Sequence, residues 1–289
     1  MFKALLLSMR PKQWVKNFFI FAAIVFDRQL SNLNGLMMTF AGFMIFCLLS
    51  SSVYLINDVL DAEADRQHPL KKLRPIASGK LPVSVAVTSA IFLVVITTPT
   101  AFVLSPTFGK IALAYLAINL AYSNWLKHVP LIDVLIIALG FVLRVAGGVS
   151  LITVERFSPW LHVCTTLLAL YFGFGKRRGE LTLLSEGNNS TRSVLDGYSI
   201  ALLDQLLVIV SSSTIMAYSL YTFSAPNLPP NHVMMLTIPF VLYGVFRYLY
   251  LIQIKKEGGA PDELVLTDRP LQITFLLWGL SVLIIFYFL

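Results

Sequence analysis

A chain of 289 residues in which 57% are hydrophobic and only 13% charged, with a mean hydropathy of +0.77, has about half the charge density of a soluble domain. That composition excludes a soluble enzyme and identifies a polytopic membrane protein. The net charge of +7 is gathered in a few connecting loops, so nucleic-acid binding is not needed to explain it.

Nine membrane-spanning helices are predicted, over residues 14–30, 36–57, 81–104, 109–125, 130–150, 158–175, 201–223, 232–254 and 270–289. Most approach the ~20 apolar residues that a helical bilayer crossing needs. The first, fourth and fifth are the least apolar: Lys16 and Asn17 interrupt the first, Asp133 and Arg144 the fifth. The expected fold is all-α, a membrane helical bundle of one domain over residues 1–289, without internal repeats. Cys47 and Cys164 lie inside apolar runs and read as packing residues, not as a disulfide or a zinc site. After Arg10 and Lys12 no long apolar run ends in a small-residue cleavage site, so no secretory signal is expected.

Loop charge sets the expected topology. Seventeen Lys and Arg residues, including Lys3, Lys72, Lys176, Arg192 and Lys256, fall at one set of span ends, against Arg28, Lys110 and Arg156 at the other. The positive-inside bias puts the N-terminus and the charged loops in the cytoplasm, and nine spans then put Leu289 outside.

The stretch that points to chemistry is Asn57-Asp58-Val59-Leu60-Asp61-Ala62-Glu63-Ala64-Asp65-Arg66, at the end of the second predicted span. Asn57, Asp61 and Asp65 recur every four residues, so a helix stacks them along one face. Like charges at that spacing repel, and a hard divalent cation with oxygen ligands offsets them well. The plainer reading is a solvated acidic helix end. Against it, four acids in eight residues emerge directly from an apolar span, where ionisable groups are usually functional. Arg66, Lys71, Lys72, Arg74 and Lys80 follow at once. Acids for a metal and cations for phosphate oxygens in one loop suit a metal–diphosphate complex; taken alone, the cations serve equally as positive-inside anchors.

Asn57-Asp58-x-x-Asp61-x-x-x-Asp65 resembles the first aspartate-rich motif of the UbiA superfamily of intramembrane prenyltransferases. Several other strings resemble that superfamily's decaprenyl-phosphate phosphoribosyltransferase branch. They are Arg10-Pro11-Lys12-Gln13-Trp14-Val15-Lys16-Asn17, Arg66-Gln67-His68-Pro69, Arg74-Pro75-Ile76-Ala77-Ser78-Gly79, Tyr122-Ser123, Leu126-Lys127-His128, Asp133, Arg144-x-x-Gly147-Gly148, Gly175-Lys176-Arg177 with Glu180-Leu181, and Asp268-Arg269-x-Leu271-Gln272. The chain departs from the wider superfamily after the fourth predicted span, where Asp133 is followed four residues on by Ile137 instead of a second acid.

The resemblance implies a nine-helix bundle whose polar end holds Mg²⁺, with Mn²⁺ as an alternative ion, and a diphosphate. It implies metal ligation by Asn57, Asp58, Asp61 and Asp65, the three acids also being the catalytic set. Phosphate binding is expected from Lys16, Arg66, Arg74, Lys127, Asp133, Arg144, Lys176 and Arg177. The residues themselves leave alternatives open. Lys127 reads as a phosphate clamp or an interfacial anchor, and Lys176-Arg177-Arg178 as phosphate ligands or the positive stop closing the sixth span. Asp133 needs a partner, with a metal, Lys127 and Arg144 as candidates, while Arg144 lies about three turns deeper and calls for a buried acid. His128 reads as structural, and Gly147-Gly148 as a site of close helix packing.

The implied reaction moves a 5-phosphoribosyl group from phosphoribosyl diphosphate to a polyprenyl phosphate such as decaprenyl phosphate, at the cytoplasmic face of a bacterial inner membrane. It releases pyrophosphate and serves the lipid-linked arabinose donor of cell-wall polysaccharide. The alternatives are an aromatic prenyltransferase of the same fold using prenyl diphosphate, and a transporter in which Asp133, Arg144 and Arg247 line a pathway. A transporter favours paired broken spans related by a repeat, and no repeat is evident. Oligomeric state is open, a homo-oligomer included.

Overall fold

The computed structural model describes residues 1–67, 71–154, 158–185, 193–226, 228–229, 231–255, 264 and 267–288. The expectations attached to His68, Pro69, Arg156, Arg192, Lys256 and Leu289 lie outside the described residues. Every regular element among the described residues is helical: α1 (Phe2–Ser8), α2 (Ala22–Phe26), α3 (Leu33–Leu60), α4 (Ala62–Gln67), α5 (Val83–Leu104), α6 (Pro106–Asn124), α7 (Ile132–Val149), α8 (Trp160–Ser185), α9 (Ile200–Ser224), α10 (Ile238–Gln253) and α11 (Arg269–Phe288), with short 3-10 segments between them. The all-α expectation holds.

Among the described residues six helices are long and apolar enough to cross a membrane: α3, α5, α7, α9, α11, and α10 together with the 3-10 turn that leads into it (Val233–Gln253). The other three predicted spans differ in kind. α6 is long but less apolar. α8 runs on to Ser185, ten residues past the predicted end at 175, so Lys176-Arg177-Arg178 lie inside the helix and do not close it. The first predicted span is a 3-10 helix over Pro11–Phe21 followed by the five residues of α2.

That 3-10 stretch is far longer than the usual three or four residues, and side-chain bonds to α3 account for it. Trp14 Nε1 donates to Ser51 Oγ at 3.0 Å, and Asn17 Nδ2 donates to Ser50 Oγ and Cys47 Sγ, each at 3.3 Å. On its other side the segment lies against α7 so closely that a Cβ on Gly148 would stand 1.9 Å from the Ile20 carbonyl oxygen. Only glycine permits that approach, in keeping with the close-packing reading of Gly147-Gly148.

α3 is the central post, about 42 Å long at 1.5 Å per residue. Asn32 caps its N-terminus by accepting from the Gly35 N–H at 3.1 Å. The buried hydroxyls of Ser50, Ser51 and Ser52 bond carbonyls of the preceding turn, which leaves a small-residue surface for neighbours. α3 packs on α5, α6 and the 3-10 segment; α7 links that half to α8; α8 packs on α9, and α10 on α11. The chain turns at Asp61, where α3 stops and α4 begins. We call this the ladder end of the bundle.

Candidate active site

The acidic ladder does not form one unbroken helical face. Asn57 and Asp58 sit in the last turn of α3, Asp61 caps it with φ −90° and ψ 1°, and Asp65 lies in α4, tied back by its N–H to the Asp61 carbonyl at 2.8 Å. Cations from three other segments close on these acids. Arg10, just ahead of the 3-10 helix, pairs with Asp58 and lies over the Tyr54 ring. Arg74 Nη1 reaches Asp65 Oδ2 at 2.6 Å and Asp58 Oδ1 at 3.2 Å. Lys127 Nζ stands 2.6 Å from Asp61 Oδ1, whose other oxygen accepts from Asn57 Nδ2 at 3.2 Å. Asp58 and Asp65 are nearly sealed from solvent, and these cations offset the cost of placing carboxylates there. Arg66 does not join them: it pairs with Glu63 at 2.7 Å on the surface.

A second network lies at the same end. Asp133, in the first turn of α7, accepts from Arg177 Nε at 2.5 Å and from the Tyr198 hydroxyl at 2.6 Å. Tyr198 in turn accepts from the Leu131 N–H at 2.6 Å, and Arg177 Nη1 reaches Glu180 at 2.5 Å. Burial first, then its bond to Asp133, push the Tyr198 phenol above its ordinary range, so it acts as a neutral donor. The partner of Asp133 is thus Arg177, not Lys127 or Arg144. Arg177 is itself closed off from solvent, and its Nη2 has no hydrogen-bond partner among the described residues. Lys176, its neighbour on α8, is half-buried, and His128 is exposed.

Arg144 meets no carboxylate among the described residues, contrary to the expected buried acid. Its Nε donates to Asn17 Oδ1 at 2.7 Å, Nη1 to the Gly140 carbonyl at 2.7 Å and Nη2 to the Tyr115 hydroxyl at 2.9 Å, with the plane over the Tyr115 and Phe141 rings. Arg247 pairs with Asp268 at 2.8 Å. Asp133, Arg144 and Arg247 thus each bond a separate set of partners.

Beside these networks lies a cavity of about 900 Å³, bounded by the 3-10 segment, α2 and α8 to α11. Its wall follows α11 from Leu271 to Leu283, about 18 Å along the axis. Phe18, Phe275 and Leu276 at its edge are exposed, so it opens sideways between the N-terminal segment and α11. At the end away from the ladder, Phe26 holds rings of Tyr221, Trp278 and Phe286 within 6.4 Å and closes it.

Residues 17–178 match the model of the UbiA prenyltransferase family. The chain belongs to that family. Similar UbiA members include the decaprenyl-phosphate phosphoribosyltransferases of Corynebacterium glutamicum, 32% identical over 97% of this chain and 86% of that one, and of Mycolicibacterium smegmatis, 32% identical over 95% and 89%. Among solved structures, a UbiA homolog from Archaeoglobus fulgidus bound to GPP and Mg²⁺ superposes with a TM-score of 0.74 at 19% identity, covering 96% of each chain. The same homolog bound to DMAPP and Mg²⁺ gives 0.74 at 20%, covering 99% of each. At these identities the two structures establish the UbiA fold and no more.

The donors at the UbiA ladder suit Mg²⁺. They are hard oxygens, and Asn57 and Asp61 adjoin. No group of three or more His, Cys, Asp or Glu forms a ready cage among the described residues; Mg²⁺ commonly takes one or two carboxylates and completes its shell with water and substrate phosphate. All three acids of the expected ligand set are paired with cations here: Asp58 with Arg10 and Arg74, Asp65 with Arg74, and Asp61 with Lys127. Sequence reasoning omitted Arg10, Tyr198, Glu180 and Tyr115 from the site. Arg10 and Glu180 stood in the strings that carried the resemblance; nothing in the sequence marks Tyr115 or Tyr198.

Proposed function

We propose that this UbiA family member transfers the 5-phosphoribosyl group of phosphoribosyl diphosphate to a polyprenyl phosphate, decaprenyl phosphate in the first instance, releasing pyrophosphate. The observation that carries the reading is the 32% identity, over nearly the whole chain, to relatives named decaprenyl-phosphate phosphoribosyltransferase. Two features of the site support it. The ladder carries acids and cations in contact, as a diphosphate arriving with a metal requires. Asp133, where other superfamily members begin a second acidic motif, is consumed by Arg177 and Tyr198.

In the reaction an oxygen of the lipid phosphate attacks C1 of the ribose. The C1–O bond to the diphosphate breaks, and the electron pair leaves with pyrophosphate. The nucleophile is already anionic at neutral pH, so no general base is needed. Asn57, Asp58, Asp61 and Asp65 would hold Mg²⁺, which when bound offsets charge growing on the leaving group. Arg74 and Lys127, poised on the acids, would bind phosphate oxygens by charge-assisted bonds. The positive-inside bias assigns the ladder end to the cytoplasm, where the water-soluble donor is found, and the apolar cavity opening toward the bilayer suits the polyprenyl tail. The whole chain, residues 1–289, acts as one unit in the bacterial inner membrane, in supply of a lipid-linked pentose donor for cell-wall arabinan.

Purified protein is incubated with ribose-labelled phosphoribosyl diphosphate, polyprenyl phosphates of several lengths, and geranyl diphosphate with 4-hydroxybenzoate, with Mg²⁺, with Mn²⁺ or with chelator. Label on lipid with equimolar pyrophosphate, abolished by chelator, is expected. Prenylated ring without any ribosylated lipid would replace the reading with the aromatic prenyltransferase, which the prenyl-diphosphate-bound structural neighbours keep as the competing arm.

A further inference from the structure

Among the described residues one charged side chain stands in the cavity wall. Among the described residues that line its 900 Å³, aromatic and aliphatic side chains dominate, and Lys16 alone carries charge. Lys16 sits in the 3-10 segment between Trp14 and Asn17, which are fixed to Ser51 and Ser50 of α3. Seven residues separate Ser51 from Asp58, so this anchorage lies about 10 Å below the ladder along the helix axis.

A second cation stands beside it. Arg144 binds Asn17, the residue after Lys16, and its guanidinium lies over Phe141, itself a wall residue of the cavity. All of its bonds go to neutral acceptors. A guanidinium 5% exposed, with no carboxylate among the described residues, leaves its positive charge uncompensated in a low-dielectric interior. The complement of a long apolar chamber with one cation in its wall and a second buried behind that wall is an amphiphile with an anionic head and a hydrocarbon tail.

Resting on the reading above, we infer that Lys16, backed by Arg144, seats the phosphate of the acceptor lipid, with the first part of its tail in the cavity beneath. Phosphoribosyl diphosphate is polar throughout and gains nothing from an aromatic chamber. Its phosphates belong with Arg10, Arg74 and Lys127, which already sit on the ladder acids. The division is thus donor at the ladder and acceptor at Lys16, so that the lipid phosphate approaches the ribose from the bilayer side. The shape of the cavity adds a limit. The ring cluster around Phe26 closes its far end, so a tail longer than the chamber leaves through the lateral opening.

The test uses wild type, Lys16→Ala and Lys16→Arg of the full chain in lipid nanodiscs. Two quantities are read: equilibrium binding of labelled polyprenyl phosphate, competed by polyprenol and by a diacyl anionic phospholipid, and KM for each substrate. Lys16→Ala should weaken polyprenyl-phosphate binding and raise its KM about tenfold or more, leave KM for phosphoribosyl diphosphate within about twofold, and abolish the preference for polyprenyl phosphate over polyprenol. Lys16→Arg should recover most of the loss and rules out misfolding as the cause. A rise confined to the KM of phosphoribosyl diphosphate would overturn the assignment, as would equal competition by the phospholipid. Lys16-dependent binding of polyprenyl phosphate by a protein that transfers no ribose would sustain the lipid site and reject the phosphoribosyl reading, so the two fail separately.

Discussion

Lys127 holds its Nζ 2.6 Å from Asp61 Oδ1, joining the α6–α7 connection to the cap of α3 across 66 positions of sequence. This contact brings a cation of a distant segment onto the carboxylate whose other oxygen Asn57 binds. If Asp61 and Asp65 hold the metal, Asp61→Ala and Asp65→Ala should each lower kcat by about 10² or more in well-folded protein. Asn57→Ala should cost less, because it removes a neutral donor. Steady-state rates over a Mg²⁺ titration check this, and wild-type turnover in both Asp variants would remove the site from the ladder.

Asp133 and Arg177 form a pair almost wholly closed to solvent. Removing one partner strands the other charge, so Asp133→Ala should destabilise the fold by about 3–5 kcal/mol. Asp133→Leu combined with Arg177→Met should recover most of that loss. Tyr198→Phe removes a bond to a charged acceptor and should cost about 1.5–3 kcal/mol. Unfolding in detergent, followed by thiol reactivity of Cys47 and Cys164, measures all three; a double variant no more stable than Asp133→Ala would refute the pairing argument.

Gly148 faces the Ile20 carbonyl so closely that any Cβ forces the 3-10 segment away from α7. Gly148→Ala should cost about 1–3 kcal/mol or more and, by shifting Lys16 and Asn17, should impair turnover as well. Gly279→Ala, whose Cβ meets nothing within 4 Å, should stay within about 0.5 kcal/mol of wild type. Equal effects of the two substitutions would show that the close approach is not what glycine serves at position 148.

Topology is open to direct labelling. In protein with both native cysteines replaced, Lys72→Cys should react with a membrane-impermeant thiol reagent only from the cytoplasm, and Lys110→Cys only from the opposite face. Both positions are exposed, and the charge bias motivates the assignment. Reaction of both from one side would break the proposed orientation.

Composition alone determined the class of this protein, because a chain so poor in charge has no soluble solution to its apolar surface. The four-residue spacing of Asn57, Asp61 and Asp65 and the cations after it marked a candidate diphosphate site, but the sequence did not show that α3 stops at Asp61, so that the three do not share one unbroken helix. What the sequence could not reveal was pairing at a distance. Asp133 had three candidate partners and took a fourth, Arg177; Arg144 found Asn17 and Tyr115 where an acid was expected; Asp58 drew Arg10 and Arg74 from two other segments. The first predicted span was apolar enough to suggest an α-helix, but bonds from Trp14 and Asn17 to α3 and the close approach at Gly148 hold it as 3-10. Periodicity fixes what a residue meets one turn away on its own helix. Which helix stands opposite a buried charge depends on how the whole bundle packs, and only the tertiary structure decides that.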